Sequence, residues 1–195
     1  MSDARSQVRI PIFSMVRPRG GDFVHTDAEF ESMKRDIAAA KKGGMDGVVF
    51  GILTRSNHID VERTQQLVEL AAPLPVTFHR AFDECRDLSQ ALEDVIRAGC
   101  KRILTSGGAS TAAEGGTKLG ALVKQAGEGI VILPGAGTNA ENIRRLVLDT
   151  GAKEFHAGLS TRVPRPHADF ELFEGEVRKL ATALDEMGKI QQVNR

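Results

Sequence analysis

The stretch PVTFHRAFD, residues 75–83, opens as a strand and ends in charge. Val76, Thr77 and Phe78 are β-branched or aromatic, the types that fill a pleated, buried surface. His79, Arg80 and Asp83 follow directly. Side chains alternate along a strand, so Thr77 and His79 share one face and Val76 and Phe78 the other. Covering helices take the apolar face, which aims Thr77 and His79 inward. A strand with such an end either reaches water there or forms the floor of a binding site.

The pattern recurs on both sides. Strand-like runs stand at RIPIFSMV (9–16), GVVFGIL (47–53), RILTS (102–106), IVILP (130–134) and EFHAG (154–158). Helical segments separate them, which predicts βα units and a parallel α/β sheet. TDAE (26–29), TAAE (111–114) and TNAE (138–141) each fit a capping box. Apolar residues recur at helical spacing in Phe30, Met33, Ile37, in Leu88, Leu92, Val95 and in Ile143, Leu146, Val147. Gly43, Gly99, Gly127 and Gly151 stand where left-handed C-caps are expected. A last helix is expected over 168–188, and the prolines of STRVPRPHAD (160–169) predict a loop before it. No linker or low-complexity tract interrupts the rhythm, so residues 1–195 read as one domain.

Composition narrows the function classes. Lys+Arg and Asp+Glu both number 26, without the positive excess of a nucleic-acid platform. Trp and Tyr are absent, and the nine Phe show no base-stacking pattern. No apolar run approaches a membrane span, and MSDARSQVRI lacks the apolar stretch of a signal peptide. Cys85 and Cys100 form no CxxC pair, and a reducing cytoplasm is the expected compartment.

In parallel α/β folds ligands bind at the carboxyl ends of strands. Those ends read RPRGGDF (17–23), TRSNH (54–58), HRAFD (79–83), TSGGAS (105–110), PGAGTN (134–139) and HAGLSTR (156–162). The expected pocket residues are Arg17, His79, Arg80, Asp83 and His156. Histidines there can exchange protons near neutral pH. Ser106, Gly107, Gly108, Gly135 and Gly137 form an expected anion site, because glycine-rich turns before helix N-termini admit anions. Arg17, Arg19 and Arg80 could supply charged forks. Plainer accounts stay open: tight turns for the glycines, a hydrogen-bonded core role for His79, and Arg17 paired with Asp83 or Asp22. His25, His58 and His167 are expected to be solvated loop residues, and Cys100 a small apolar one. Six units fit either an open doubly wound sheet or part of a closed eight-unit barrel.

The stretches IPIFSMVRPRGGDF, DGVVFGILT, IDVERTQQLVELA, PLPVTFHRAFD, RILTSGGAST and ILPGAG…EFHAG, in this order from Ile10 to Gly158, resemble the CutC copper-homeostasis family. The resemblance implies a TIM-barrel-derived fold, a cytoplasmic protein and copper as the associated cofactor. It also supports Arg17, His79, Arg80, Asp83, Ser106 and His156 around one mouth. Family members carry two further βα units before the strand matched by residues 9–16. They also carry a Glu and a Cys on the second strand, and often a His where Phe13 stands. The expectation is therefore a shortened chain, or a homo-oligomer in which another copy covers the gap.

Three functions are compatible with these residues. Copper(I) binding and homeostasis rests on the resemblance, since no compact ligand motif joins Cys85, Cys100, Met15 and the histidines. An enzyme or sensor for a phosphorylated or carboxylated metabolite rests on the polar rim, without a named reaction. A structural or interaction protein would show an extensive exposed apolar edge. Neither nucleic acid nor membrane is expected as a partner.

Overall fold

The computed structural model describes residues 2–159, 162–163 and 169–193. Residues 160–161 and 164–168, with most of the expected loop and His167, lie outside the described residues. Two compact units are distinguished: Met1–Leu104 with Ala126–Val131, and Thr105–Gln125 with Ile132–Arg195.

The first unit begins with a short helix α1 (Ser2–Gln7) and then alternates strand and helix. It holds β1 (Phe13–Met15), α2 (Asp27–Lys42), β2 (Gly47–Phe50), α3 (Val61–Ala71), β3 (Val76–Phe78), a 3-10 helix (Arg80–Glu84) and α4 (Leu88–Arg97). Arg102–Leu104 of β4 (Arg102–Thr105) also belong to it. All of these strands run parallel. Their register aligns Met15, Val49, Thr77 and Arg102 in one row. Val48, Phe50, Val76, Phe78 and Ile103 are buried, as are Met33, Ile37, Leu67, Leu92 and Val95 of α2 to α4. Each such side chain contributes about 1.5–3 kcal/mol relative to exposure. Phe13 lies over Gly47, where any Cβ would collide with its ring. The guanidinium carbon of Arg102 stands 5.6 Å from the same ring.

The second unit contains all but the last residue of α5 (Gly116–Ala126), all but the first of β5 (Val131–Pro134), and α6 (Ile143–Thr150) and α7 (Phe170–Val193). At the start of β5 Val131 N–H donates to Lys101 O at 3.1 Å, and just past its end Gly135 N–H donates to Thr105 O at 2.9 Å. Within the first unit the sheet order is β1-β2-β3-β4. α6 and α7 build a core of Ile143, Val147, Ala183 and Met187, with Phe155, Leu180 and Leu184 packed against it.

The parallel α/β class is as expected, and several local features differ. Residues 154–158 form no strand, although His156 N–H donates to Pro134 O at 2.9 Å. β1 shrinks from the expected 9–16 to Phe13–Met15, because Pro11 has no N–H to donate and Ile10 is exposed. Of three expected capping boxes, only Thr26–Glu29 has both bonds. Thr111 accepts from Glu114 N–H, but α5 starts only at Gly116. In TNAE it is the Asn139 side chain that accepts from Glu141 N–H, at 2.9 Å, while the Thr138 hydroxyl is buried without a partner. Gly43 ends α2 at φ −77°, and the next residue, Gly44, takes the left-handed turn.

Thr26→Ala removes the acceptor for Glu29 N–H and should cost about 1 kcal/mol. Urea melts followed by circular dichroism check this; an unchanged midpoint would show that the cap is dispensable.

Candidate functional site

The ends of β1, β2 and β3 meet at one level. Phe50 pairs with Phe78, and His79 N–H donates to Phe50 O at 2.8 Å. One residue further along, Gly51 therefore stands across from His79. Arg17 follows Val16, whose N–H donates to Val49 O at 2.8 Å. Arg17, Gly51 and His79 so continue the row below them on the same face.

His79 is buried and caps the 3-10 helix. Its Nδ1 accepts the Ala81 N–H at 3.2 Å. A neutral imidazole has one donor and one acceptor nitrogen, so this bond puts the proton on Nε2. That Nε2 is buried and has no hydrogen-bond partner among the described residues. Burial lowers the imidazole pKa to about 4, and the positive Arg17 and nearby His25 act in the same direction. His79 is thus a neutral donor at physiological pH.

A loop brings aromatic and cationic groups onto it. The Phe23 ring lies 5.0 Å from the His79 ring, tilted by 59°. The guanidinium carbon of Arg17 stands 4.6 Å from the Phe23 centroid, within cation–π range. Arg17 Nη2 also donates to Gly21 O at 2.7 Å. Arg17, Phe23 and His79 form a column whose outer end is charged and whose inner end is a neutral donor. Arg80 and Asp83 sit beside it as an ion pair, Nε to Oδ2 at 2.8 Å.

His25 corrects the expectation of a solvated loop residue. It is 5% exposed, and neither ring nitrogen has a hydrogen-bond partner among the described residues. Desolvation lowers its pKa, partly opposed by the Glu29 carboxylate 3.8 Å away. The signal was present: residue 25 precedes the N-cap Thr26, the position that packs back on the helix in a hydrophobic staple. His58 is exposed, with Nδ1 3.1 Å from Ser56 Oγ.

Ser106, Gly107, Gly108, Gly135, Gly137 and His156 lie in the second unit. Ser106 is buried and its hydroxyl donates to Ala109 O. Gly107 N–H donates to Thr105 Oγ1 at 2.8 Å, and Gly135 N–H to Thr105 O. Ala112 N–H donates to Ala136 O at 2.9 Å, and the Asn139 and Asn142 side chains donate to Gly137 O. Gly107, Gly108 and Gly137 all take positive φ, as does Ala136. The amides of Gly107 and Gly135 are therefore used to close their own turns. His156 is exposed, and partial desolvation lowers its pKa.

The donor set does not fit copper. Among the described residues no three His, Cys, Asp or Glu side chains gather to hold a metal ion. Burial pushes the Cys85 thiol up to about 12, with Asp94, Asp83 and Glu84 adding to it, and burial pushes Cys100 up to about 12. Without a metal both stay protonated thiols at neutral pH, so a copper(I) ion would have to displace their protons. His79 presents a proton, not a lone pair, at Nε2.

The sequence profile described as the CutC family matches residues 1–161. The chain is 48% identical over 160 residues to a family protein CutC of Chromobacterium violaceum, covering 82% of this chain and 65% of that one. It is 48% identical over 159 residues to the human copper homeostasis protein cutC homolog, covering 81% and 58%. It thus spans less than two thirds of these relatives. Among solved structures, the CutC protein of Streptococcus agalactiae superposes with a TM-score of 0.76 at 36% identity, covering 80% of this chain and 77% of that one. The deoxyribose phosphate aldolase of Aeropyrum pernix, at 15% identity and a TM-score of 0.64, covers 87% and 73% and shares the fold alone.

The His79 environment sets a pH dependence. The unfolded chain takes up this proton near 6.5, the folded chain only near 4. Stability tied to neutral His79 is complete above about 6.5 and is lost as pH falls toward 4. Urea unfolding at intervals from pH 7 to 4.5 should show this loss, and His79→Gln should flatten it. Parallel profiles for the two proteins would rule the shift out.

Proposed function

The chain belongs to the CutC family, and we propose that its strand-end site in the first unit binds a small phosphorylated or carboxylated molecule. His79 Nε2–H donates to an oxygen of that molecule, and Arg17 supplies the opposite charge. One observation carries this proposal: the Nε2 donor of His79 is buried and unpartnered among the described residues. Leaving such a donor unpaired costs about 1–3 kcal/mol, which a ligand oxygen would return. An oxygen acceptor suits a protonated Nε2; a metal ion does not. With its pKa near 4, His79 acts by polarising a bound oxygen and not by taking protons at neutral pH.

The copper association is that of the family, since the mouse and human relatives are named copper homeostasis proteins. Copper(I) binding by this chain finds no ligand set among the described residues. The cytoplasm is the proposed location, consistent with two free cysteines and with no described helix long and apolar enough to cross a membrane.

Calorimetric titration with inorganic phosphate, sulfate, citrate and a sugar phosphate tests the site. At least one anion should bind, and Arg17→Gln and His79→Leu should each weaken it about tenfold, or about 1.4 kcal/mol. Absence of binding by every anion would defeat the proposal. In a parallel copper(I) titration under reducing conditions, Cys85→Ser should leave uptake unchanged; a lost equivalent would restore a copper site at Cys85.

A further inference from the structure

We infer that Gly51 is a positioning residue that selects which nitrogen of His79 faces a ligand. This rests on the reading of His79 Nε2–H as the ligand donor. β2 and β3 run in parallel register up to Phe50 and Phe78, so position 51 projects onto the same face as His79. The imidazole occupies the space that a side chain at 51 would fill. A Cβ there would lie 2.5 Å from His79 Nδ1, 2.7 Å from its Cε1 and 3.0 Å from Ala81 Cβ. Real Cβ atoms do not approach so closely, so the ring would have to move.

It has little room to do so. Phe23 lies 5.0 Å away and the Phe78 ring 6.2 Å away, and Ala81 and Phe82 of the following turn are buried. The edge that Gly51 admits is the Nδ1 edge, the one that accepts Ala81 N–H. A bare α-carbon at 51 lets the ring sit deep enough to make that bond, and the bond fixes the proton on Nε2. Gly51 therefore acts on recognition without touching the ligand. It keeps the site a hydrogen-bond donor, selective for oxygen acceptors over metal ions.

The test is long-range proton–nitrogen NMR on the 15N-labelled full chain, without ligand, at pH 7. In the wild type, His79 should show a protonated Nε2 and a bare Nδ1. In Gly51→Ala the displaced ring should lose the Ala81 bond and show mixed tautomers. Its affinity for inorganic phosphate, or for whichever anion binds the wild type, should fall at least tenfold, with circular dichroism unchanged. Phe23→Leu, which leaves the Nδ1 edge untouched, should keep the wild-type tautomer. A wild-type His79 protonated on Nδ1, or a Gly51→Ala protein with the wild-type tautomer, would overturn the assignment. If Gly51→Ala does not fold, the wild-type and Phe23→Leu spectra decide: a scrambled tautomer in Phe23→Leu transfers the role to Phe23. Failure of every anion to bind the wild type would remove the proposed ligand and leave the tautomer result standing.

Discussion

Parallel pairing of Val48, Val49 and Phe50 with Val76, Thr77 and Phe78 sets the level of everything above it. Val48, Phe50, Val76 and Phe78 are buried, so a slip of one residue would turn Val76 and Phe78 to the face that holds Thr77 and His79. That cost locks the register. The locked register places Gly51 across from His79, and the gap at Gly51 lets the imidazole settle against the Ala81 amide. A hydrophobic constraint in the sheet is thereby converted into the protonation state of one side chain.

The column above the sheet follows from the same levels. Arg17 leaves β1 on the face shared by His79, and the loop after it returns Phe23 between the two. Phe23 separates a permanent cation from an imidazole that burial already keeps neutral. Protonating His79 beside Arg17 would add a like charge in a desolvated setting, so desolvation and charge act in the same direction. Arg19 is held differently. Its Nε donates to Glu29 and its Nη2 to Asp22, the two carboxylates that raise its pKa. Of the two arginines in the RPRG turn, Arg19 fastens the loop to the start of α2 and Arg17 lies over the aromatic ring.

The sequence made much of the scaffold legible. The β-branched runs at 47–50, 76–78, 102–105 and 131–134 are strands because their side chains fill a core from both faces. The run at 154–158 looked similar, but Glu154, His156 and Gly158 offer little apolar surface, and the segment forms no strand. The Thr26–Glu29 box was readable because both partners are local; at 138–141 the neighbouring Asn139 competes for the same amides and wins. At the site, the inward aim of His79 followed from alternation. Its tautomer did not, since that depends on a backbone N–H two residues on. Gly51 gave no signal either, because its role is defined across strands and looks, in the chain, like one more glycine in an apolar run.

Unsatisfied groups gather where the first unit offers its aromatic and cationic side chains. Among the described residues His79 Nε2 and both nitrogens of His25 are buried without partners, and Thr64 adds a hydroxyl in α3. At about 1–3 kcal/mol each, such groups are large against a typical net stability of about 5–15 kcal/mol. The surrounding core can bear them: Phe50, Phe78, Phe82, Ile52 and Leu67 are almost fully buried. A fold that needed only stability would do better with apolar residues at 25 and 79. Retaining two buried imidazoles with idle nitrogens makes physical sense when something else completes their hydrogen bonds.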